Sequence, residues 1–310
     1  MTSTENKSAA SGGSSRRDDI RHALRLFRQN PLVLVGLAIS SATLLLSVLS
    51  PFLVNPALAN DTHALVKNCW NNPIISWGSN IATCPGAVHP LGTDAFGRDL
   101  LQMIILAIPV DVRIALEVVL SALIIGIVFG ATAAYAGGII DEAILRITDI
   151  FLAVPGILLA IIFLFVFGRT FTVLTVAIIV IWWPTYVRLL RSQVLSEREK
   201  PYVESLRAMG AGRMRILFRH IVPNSIYPLL VQATLDIGSV ILTVSALTFI
   251  GLSPSDLLPE LGNLASQGFA YFFQAPWEII FPGLTILLIS LGFNLLGDGI
   301  RDIFDPRLRR

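Results

Sequence analysis

Two sets of residues in this 310-residue chain have the types and spacing to do chemistry, and neither is a catalytic set. The first is Glu204, Arg207, Ala208, Gly210, Arg215, His220 and Pro223, within Glu204-Ser-Leu-Arg-Ala-Met-Gly210-Ala-Gly-Arg-Met-Arg-Ile-Leu-Phe-Arg-His220-Ile-Val-Pro223-Asn224. A carboxylate near a helix start suits the positive end of the dipole. A glycine permits a tight turn or a close approach that a Cβ would block, and Pro223 is expected to stop the helix. Met214, Leu217 and Phe218 fall at i, i+3 and i+4 as an apolar edge, with Arg213, Arg215 and Arg219 pointing elsewhere. A helix this short is marginal alone in water and draws stability from a partner. The chemistry is recognition: a basic, amphipathic docking surface. A basic loop lying on lipid is the plainer alternative.

The second set is Gln232, Asp236, Ser239 and Thr243, spaced i, i+4, i+7 and i+11 along one helix face. A charged Asp at the centre of a membrane helix costs about 2.5–3.5 kcal/mol on insertion scales. Such a stripe faces either a watery path or hydrogen-bonding neighbours within the bundle. Both readings stand at this stage. Glu117 and Ser121 form a weaker i, i+4 pair, Arg146 is expected to pair locally with Asp149, and Glu278 is expected to be solvated at the outer boundary.

Other chemistry finds no footing. No Cys/His cluster has metal spacing and no G-x4-G-K-[ST] loop is present, so no metal site and no nucleotide site of its own is expected. An intramembrane enzyme needs a nucleophile–base pair or metal ligands within its spans, and His22, His63, His89 and His220 all fall outside them. A secondary transporter would carry an internal repeat of spans, and none is evident. Cys69 and Cys84 share a loop; in an oxidising compartment a bridge closing about fifteen residues is worth about 3 kcal/mol, two unpaired thiols being the alternative. Asn60-Asp-Thr62 is a glycosylation sequon, relevant only in a host that glycosylates.

The elements that must position these residues are membrane helices. Hydrophobic residues make up 54% of the chain and charged ones 14%, too little polar surface for a soluble domain of this length. Six segments reach the roughly 20 apolar residues needed to cross a bilayer: 31–54, 114–136, 149–167, 171–190, 226–250 and 278–296. The first is too long for a signal-peptide core and is expected to be retained. Pro155-Gly156 and Pro184 predict kinks, and Trp182 and Trp183 are expected to pack within the bundle. Residues 1–15 lack any core-forming pattern; 16–30 form a basic amphipathic stretch suited to the inner membrane surface. Six Lys/Arg precede residue 31, Arg146 follows span two, eight lie from Arg188 to Arg219 and four follow residue 300. Nineteen of the 23 therefore fall on one side of six alternating spans, which predicts cytoplasmic termini and a cytoplasmic basic loop. The predicted organisation is a 1–30 tail, a first span at 31–54, an outer loop at 55–112, a core at 113–300 containing the 191–224 loop, and a 301–310 tail.

Four stretches in this order resemble the permease subunits of ABC importers for dipeptides, oligopeptides and nickel, on the branch with one extra N-terminal span. They are His89-Pro-Leu-Gly-Thr-Asp94-Ala-Phe-Gly97-Arg98-Asp99; Ala134-Tyr-Ala-Gly137-Gly138 with Arg146-Ile-Thr-Asp149; the Glu204–Asn224 segment; and Phe293-Asn-Leu-Leu-Gly297-Asp298-Gly299-Ile-Arg301-Asp302. The third is similar to the family's ATPase-docking loop, although its Glu-Ala-Ala opening is Glu204-Ser205-Leu206 here. The resemblance implies an all-α integral membrane protein with six transmembrane helices, a type I importer permease fold plus one N-terminal helix. It implies a second, homologous permease, two cytoplasmic ATPase subunits docked on the coupling segment, and an extracytoplasmic substrate-binding protein. This chain would then sit in the cell membrane without catalytic role, cofactor or nucleic-acid partner, with ATP and Mg on the ATPases. Peptides are the implied cargo, oligosaccharides or nickel the alternatives, and a secondary transporter a more distant one.

Overall fold

The computed structural model describes residues 30–54, 90–95, 98–254 and 259–304. The basic stretch before residue 30, Asn60, Cys69 and Cys84 lie outside them. Helix α1 (Pro31–Leu53) starts where the Asn30 side chain accepts the Leu32 N–H at 3.1 Å, with Pro31 preset for the first turn. Helix α2 (Leu100–Ala136) starts at Asp99, which caps Gln102 N–H at 3.0 Å, and ends at Gly137 with φ +62°. At 37 residues it is about 55 Å long. It thus begins well before residue 114, where the sequence put the span. Gln102, Asp111 and Arg113 interrupt its N-terminal part and hide it from an apolar-run search. That part buries Leu100, Met103, Ile104, Ala107 and Ile108 against protein.

The third expected span, 149–167, is a broken one. Helix α3 (Gly138–Ala153) and helix α4 (Gly156–Phe167) meet at 86° across Pro155. Proline restricts the residue before it to extended backbone, and Val154 is extended, with ψ 130°. Helix α5 (Phe171–Arg198) continues through Pro184, so that proline does not end it. The local Arg146–Asp149 pair does not form: Arg146 reaches Glu142 at 3.4 Å, whereas Asp149 pairs with Arg188 of α5. Asp141 holds Arg191 through two bonds of 2.5 and 2.6 Å, so α3 is pinned to α5 by charge at both of its ends.

After α5 come helix α6 (Pro201–Ala208), helix α7 (Arg213–Ile216), a π-helical turn (Leu217–Ile221) and helix α8 (Val222–Ser225). Helix α9 (Tyr227–Leu247), a second π turn (Thr248–Leu252), helix α10 (Leu261–Phe269) and helix α11 (Trp277–Phe304) complete the described elements. Among the described residues five single helices are long and apolar enough to cross a membrane, and the bent α3–α4 pair makes a sixth span when counted as one. The protein is an all-α, multi-pass membrane protein.

Lipid is as apolar as leucine, so close backbone approach rather than the hydrophobic effect holds such helices together. The α2–α5 crossing illustrates this. A Cβ on Gly126 would lie 2.3 Å from the Tyr186 Cβ, and one on Gly130 would lie 2.8 Å from the Val187 carbonyl. Trp183 packs edge-on against Phe151 and tilted against Phe129, as expected of a packing residue.

Candidate coupling surface, polar stripe and outer clasp

The candidate coupling segment is built around one turn. Pro201 opens α6, and Glu204 lies in its first turn, where a carboxylate is favoured. At its end the Gly210 N–H donates to the Arg207 carbonyl at 3.0 Å, and the Ala211 N–H to the Leu206 carbonyl at 3.1 Å. This is a Schellman pair, and it places Gly210 at φ +78°, the left-handed region. The chain reverses there and enters α7. Nothing lies within 4 Å of where a Gly210 Cβ would be, so the glycine answers a backbone requirement and not an internal packing one.

Pro223 does not stop the helix. The preceding turn widens to i→i+5 bonding, the Val222 N–H donates to the Leu217 carbonyl, and Pro223 sits in the first turn of α8, where its missing N–H costs nothing. The expected Met214–Leu217–Phe218 edge is also split. The widened turn rotates Leu217 inward to 3% exposure, beside Ile216 and Ile221, while Met214 and Phe218 stay 52% and 57% exposed. Val203, Ile216, Leu217 and Ile221 share a core with Leu190 and Val194 of α5 and Ala131 and Ala134 of α2. On the outside lie Glu204, Arg207, Ala208, Gly210, Arg215 and Pro223, all exposed, with His220 half-buried.

Sequence reasoning missed the brace that holds the two ends of this segment. The Tyr202 hydroxyl donates to Glu197 at 2.8 Å and accepts from Asn224 at 3.4 Å. Burial, with the Glu197 carboxylate beside it, raises the Tyr202 phenol above its usual range. Arg198 donates to the Ala134 carbonyl at 2.7 Å, capping the C-terminal end of α2.

The polar stripe divides. Gln232 donates to Asp236 at 3.0 Å, and Asp236 is buried among Tyr186 and Trp182 of α5. Its Oδ2 and the Tyr186 hydroxyl face one another without a well-formed hydrogen bond. Ser239 and Thr243, half-buried, bond back to the carbonyls of Leu235 and Ser239 in their own helix. Gln232 and Asp236 are therefore brought together as a pair, whereas Ser239 and Thr243 are not tied to them.

At the other end of the bundle the Gly-Thr-Asp stretch acts as a clasp. Arg98 bonds Asp94 at 2.6 Å and Gln267 of α10 at 2.9 Å, and the Trp277 indole donates to the Thr93 carbonyl at 3.1 Å. Glu278, expected in water, is 2% exposed beneath this strap, close to Asp94 and Arg98. Asp111 of α2 accepts the Leu261 N–H at 3.1 Å, and Glu260 caps α10 by accepting from Gly262 and Asn263 at 3.2 and 3.0 Å. Both carboxyls are fully buried and within hydrogen-bonding reach of each other. Burial raises Glu260 above the usual carboxylate range. The available signals were an acid inside an apolar helix and a glutamate directly before a helical run. Among the described residues no group of three or more His, Cys, Asp or Glu is arranged to hold a metal.

Comparison with known proteins bears on the whole chain. Residues 122–310 match the family model described as binding-protein-dependent transport system inner membrane component. The dipeptide transport system permease protein of Alkalihalophilus pseudofirmus is 38% identical over 289 residues, covering 93% of this chain and 90% of that protein. Its Haemophilus influenzae counterpart is 36% identical over 286 residues, covering 92% and 93%. The oligopeptide transport system permease protein of Bacillus subtilis is 31% identical over 290 residues, covering 94% and 90%. With a helical bundle, multiple spans and a family model that covers more than half of its length, this chain belongs to the binding-protein-dependent transport system inner membrane components.

Proposed function

We propose that this chain is the permease subunit of an ATP-driven importer of di- or oligopeptides, paired with a second, homologous permease. The observation that carries the reading is the coupling segment. It is rooted in the bundle through Val203, Ile216, Leu217 and Ile221, yet leaves Met209, Met214 and Phe218 exposed among arginines. Exposed apolar side chains on a basic surface suit a protein groove better than water. Two ATPase subunits holding ATP and Mg would dock there, and an extracytoplasmic binding protein would deliver the peptide. The bias of 19 of 23 Lys/Arg to one side of six alternating spans supports a cytoplasmic position for both termini and the coupling segment. Movement of the coupling segment would pass through its shared core to α2 and α5, and so to Asp236 against Tyr186 and Trp182. The peptide assignment draws on relatives named for dipeptide and oligopeptide transport.

The test is stimulation of ATP hydrolysis in the reconstituted complex. Binding protein loaded with di- or oligopeptide should raise hydrolysis, and oligosaccharide or nickel should not. Stimulation by the latter alone would replace the cargo; solute uptake that survives removal of the ATPases would overturn the importer reading.

A further inference from the structure

A cavity of about 620 Å³ opens beside the coupling segment, between the inner end of α2 and α6–α7. Arg198, Arg207 and Arg213 line it from three different elements, and no Asp or Glu does. The Schellman turn at Gly210 puts Arg207, in the last turn of α6, and Arg213, the first residue of α7, on the same wall. Glu199 and Glu204 line a neighbouring hollow, whose wall Arg198 and Arg207 share, without pairing with either arginine. Among the described residues none of the three guanidinium groups forms an ion pair with a carboxylate, and only Arg198 has a hydrogen bond, to the Ala134 carbonyl. Three positive charges around one concavity of ligand-binding size, without an internal counter-charge, leave it short of an anion. Guanidinium forks match phosphate oxygens in geometry and keep their charge at any physiological pH.

We propose that this cavity binds a phosphate group, either that of an anionic phospholipid headgroup or that of a soluble phosphate. The cavity lies at the C-terminal end of α2, beside Tyr135, a residue type enriched at membrane boundaries. Its floor is Ile216 and Leu217, and Met214 and Phe218 are not part of its lining. The cavity is therefore separate from Met214 and Phe218, while Arg207 is shared with the segment proposed to dock the ATPases, and the two roles are told apart by the outcomes below.

The full chain, purified in detergent, is titrated with phosphatidylglycerol and phosphatidylcholine and followed by native mass spectrometry. Pyrophosphate binding is measured in parallel by calorimetry. Retention of one phosphatidylglycerol per chain over phosphatidylcholine, weakened about tenfold or more in Arg207→Gln/Arg213→Gln, supports the lipid source, since one charge-assisted bond is worth about that factor. Pyrophosphate binding lost in the same variant, without lipid preference, supports the soluble source. Arg213→Gln alone, which leaves Arg198 and Arg207 in place, should show a smaller loss, and Arg219→Gln none. Binding of both probes that is absent in the wild type, or unchanged in the double variant, overturns the site. If the double variant keeps its lipid but no longer co-purifies with the ATPase subunits when expressed with them, the arginines belong to docking and the proposal fails.

Discussion

Substitution at Gly210 separates two reasons for a glycine in the coupling turn. If a partner must approach closely, damage should follow side-chain size: alanine mildest, asparagine and valine worse. The structure points to backbone conformation instead, since Gly210 sits at φ +78° with open space where its Cβ would be. A left-handed conformation costs an L-residue roughly 1–2 kcal/mol, less for asparagine, and more for a β-branched residue. The two Schellman bonds at 3.0 and 3.1 Å hold only with that conformation. A local cost of 1–2 kcal/mol lowers the population of the turn about 5- to 30-fold relative to competing backbone states. The expected order of activity is Gly, then Asn, then Ala, then Val, with Ala reduced several-fold and Val close to uncoupled. Peptide-stimulated ATP hydrolysis of the reconstituted complex is the assay, with co-purification of the ATPases and a monodisperse elution profile checking assembly. Alanine outperforming asparagine, or valine matching glycine, would refute the conformational argument.

Two further outcomes can be measured. Single cysteines at Gln232, Asp236, Ser239 and Thr243, in a Cys69/Cys84-free background, should react with a small hydrophilic thiol reagent in a nucleotide-dependent way if these residues line a solute path. Leu230 and Ile241 should stay protected, and equal protection at all six positions would leave the stripe as bundle packing. Glu260 is raised by burial, so its protonated form contributes stability that is complete at low pH and is lost as pH rises through the raised value. Protection of the α10 amides, corrected for the intrinsic base-catalysed exchange rate, should fall across that rise and stay level in Glu260→Gln, whereas wild-type protection that does not change with pH would contradict it.

Much of this molecule is written locally in its sequence. Glu204 and Gly210 are legible because helix starts and left-handed turns are decided by a few neighbours. The i, i+4 spacing likewise joined Gln232 to Asp236, which bond at 3.0 Å. What escaped depends on distance along the chain. Glu278 reads as a boundary residue until a strap some 180 residues earlier in sequence, fixed by the Trp277–Thr93 bond, covers it. Asp149 passes over the nearby Arg146 for Arg188, because the 86° break swings α3 against α5. Hydropathy measures how apolar a segment is, not whether it is straight. Pro223 escaped for a different reason: the π turn before it supplies a bonding pattern that already does without its N–H.

The close crossing of α2 and α5 also dictates how this protein can be engineered for handling outside its membrane. Replacing helix glycines by alanine is a common route to a sturdier variant, gaining up to about 1 kcal/mol at compatible sites. At Gly126 and Gly130 it would instead push two helices apart, and at Gly210 it would bend a turn against its hand. Among the described glycines only Gly212 and Gly283 combine open space with a negative φ or ordinary extended backbone. Gly283 is inside α11, where helix propensity favours alanine. A stabilised version of this bundle therefore starts on the face of its last helix, and the inter-helix contacts are left as they are.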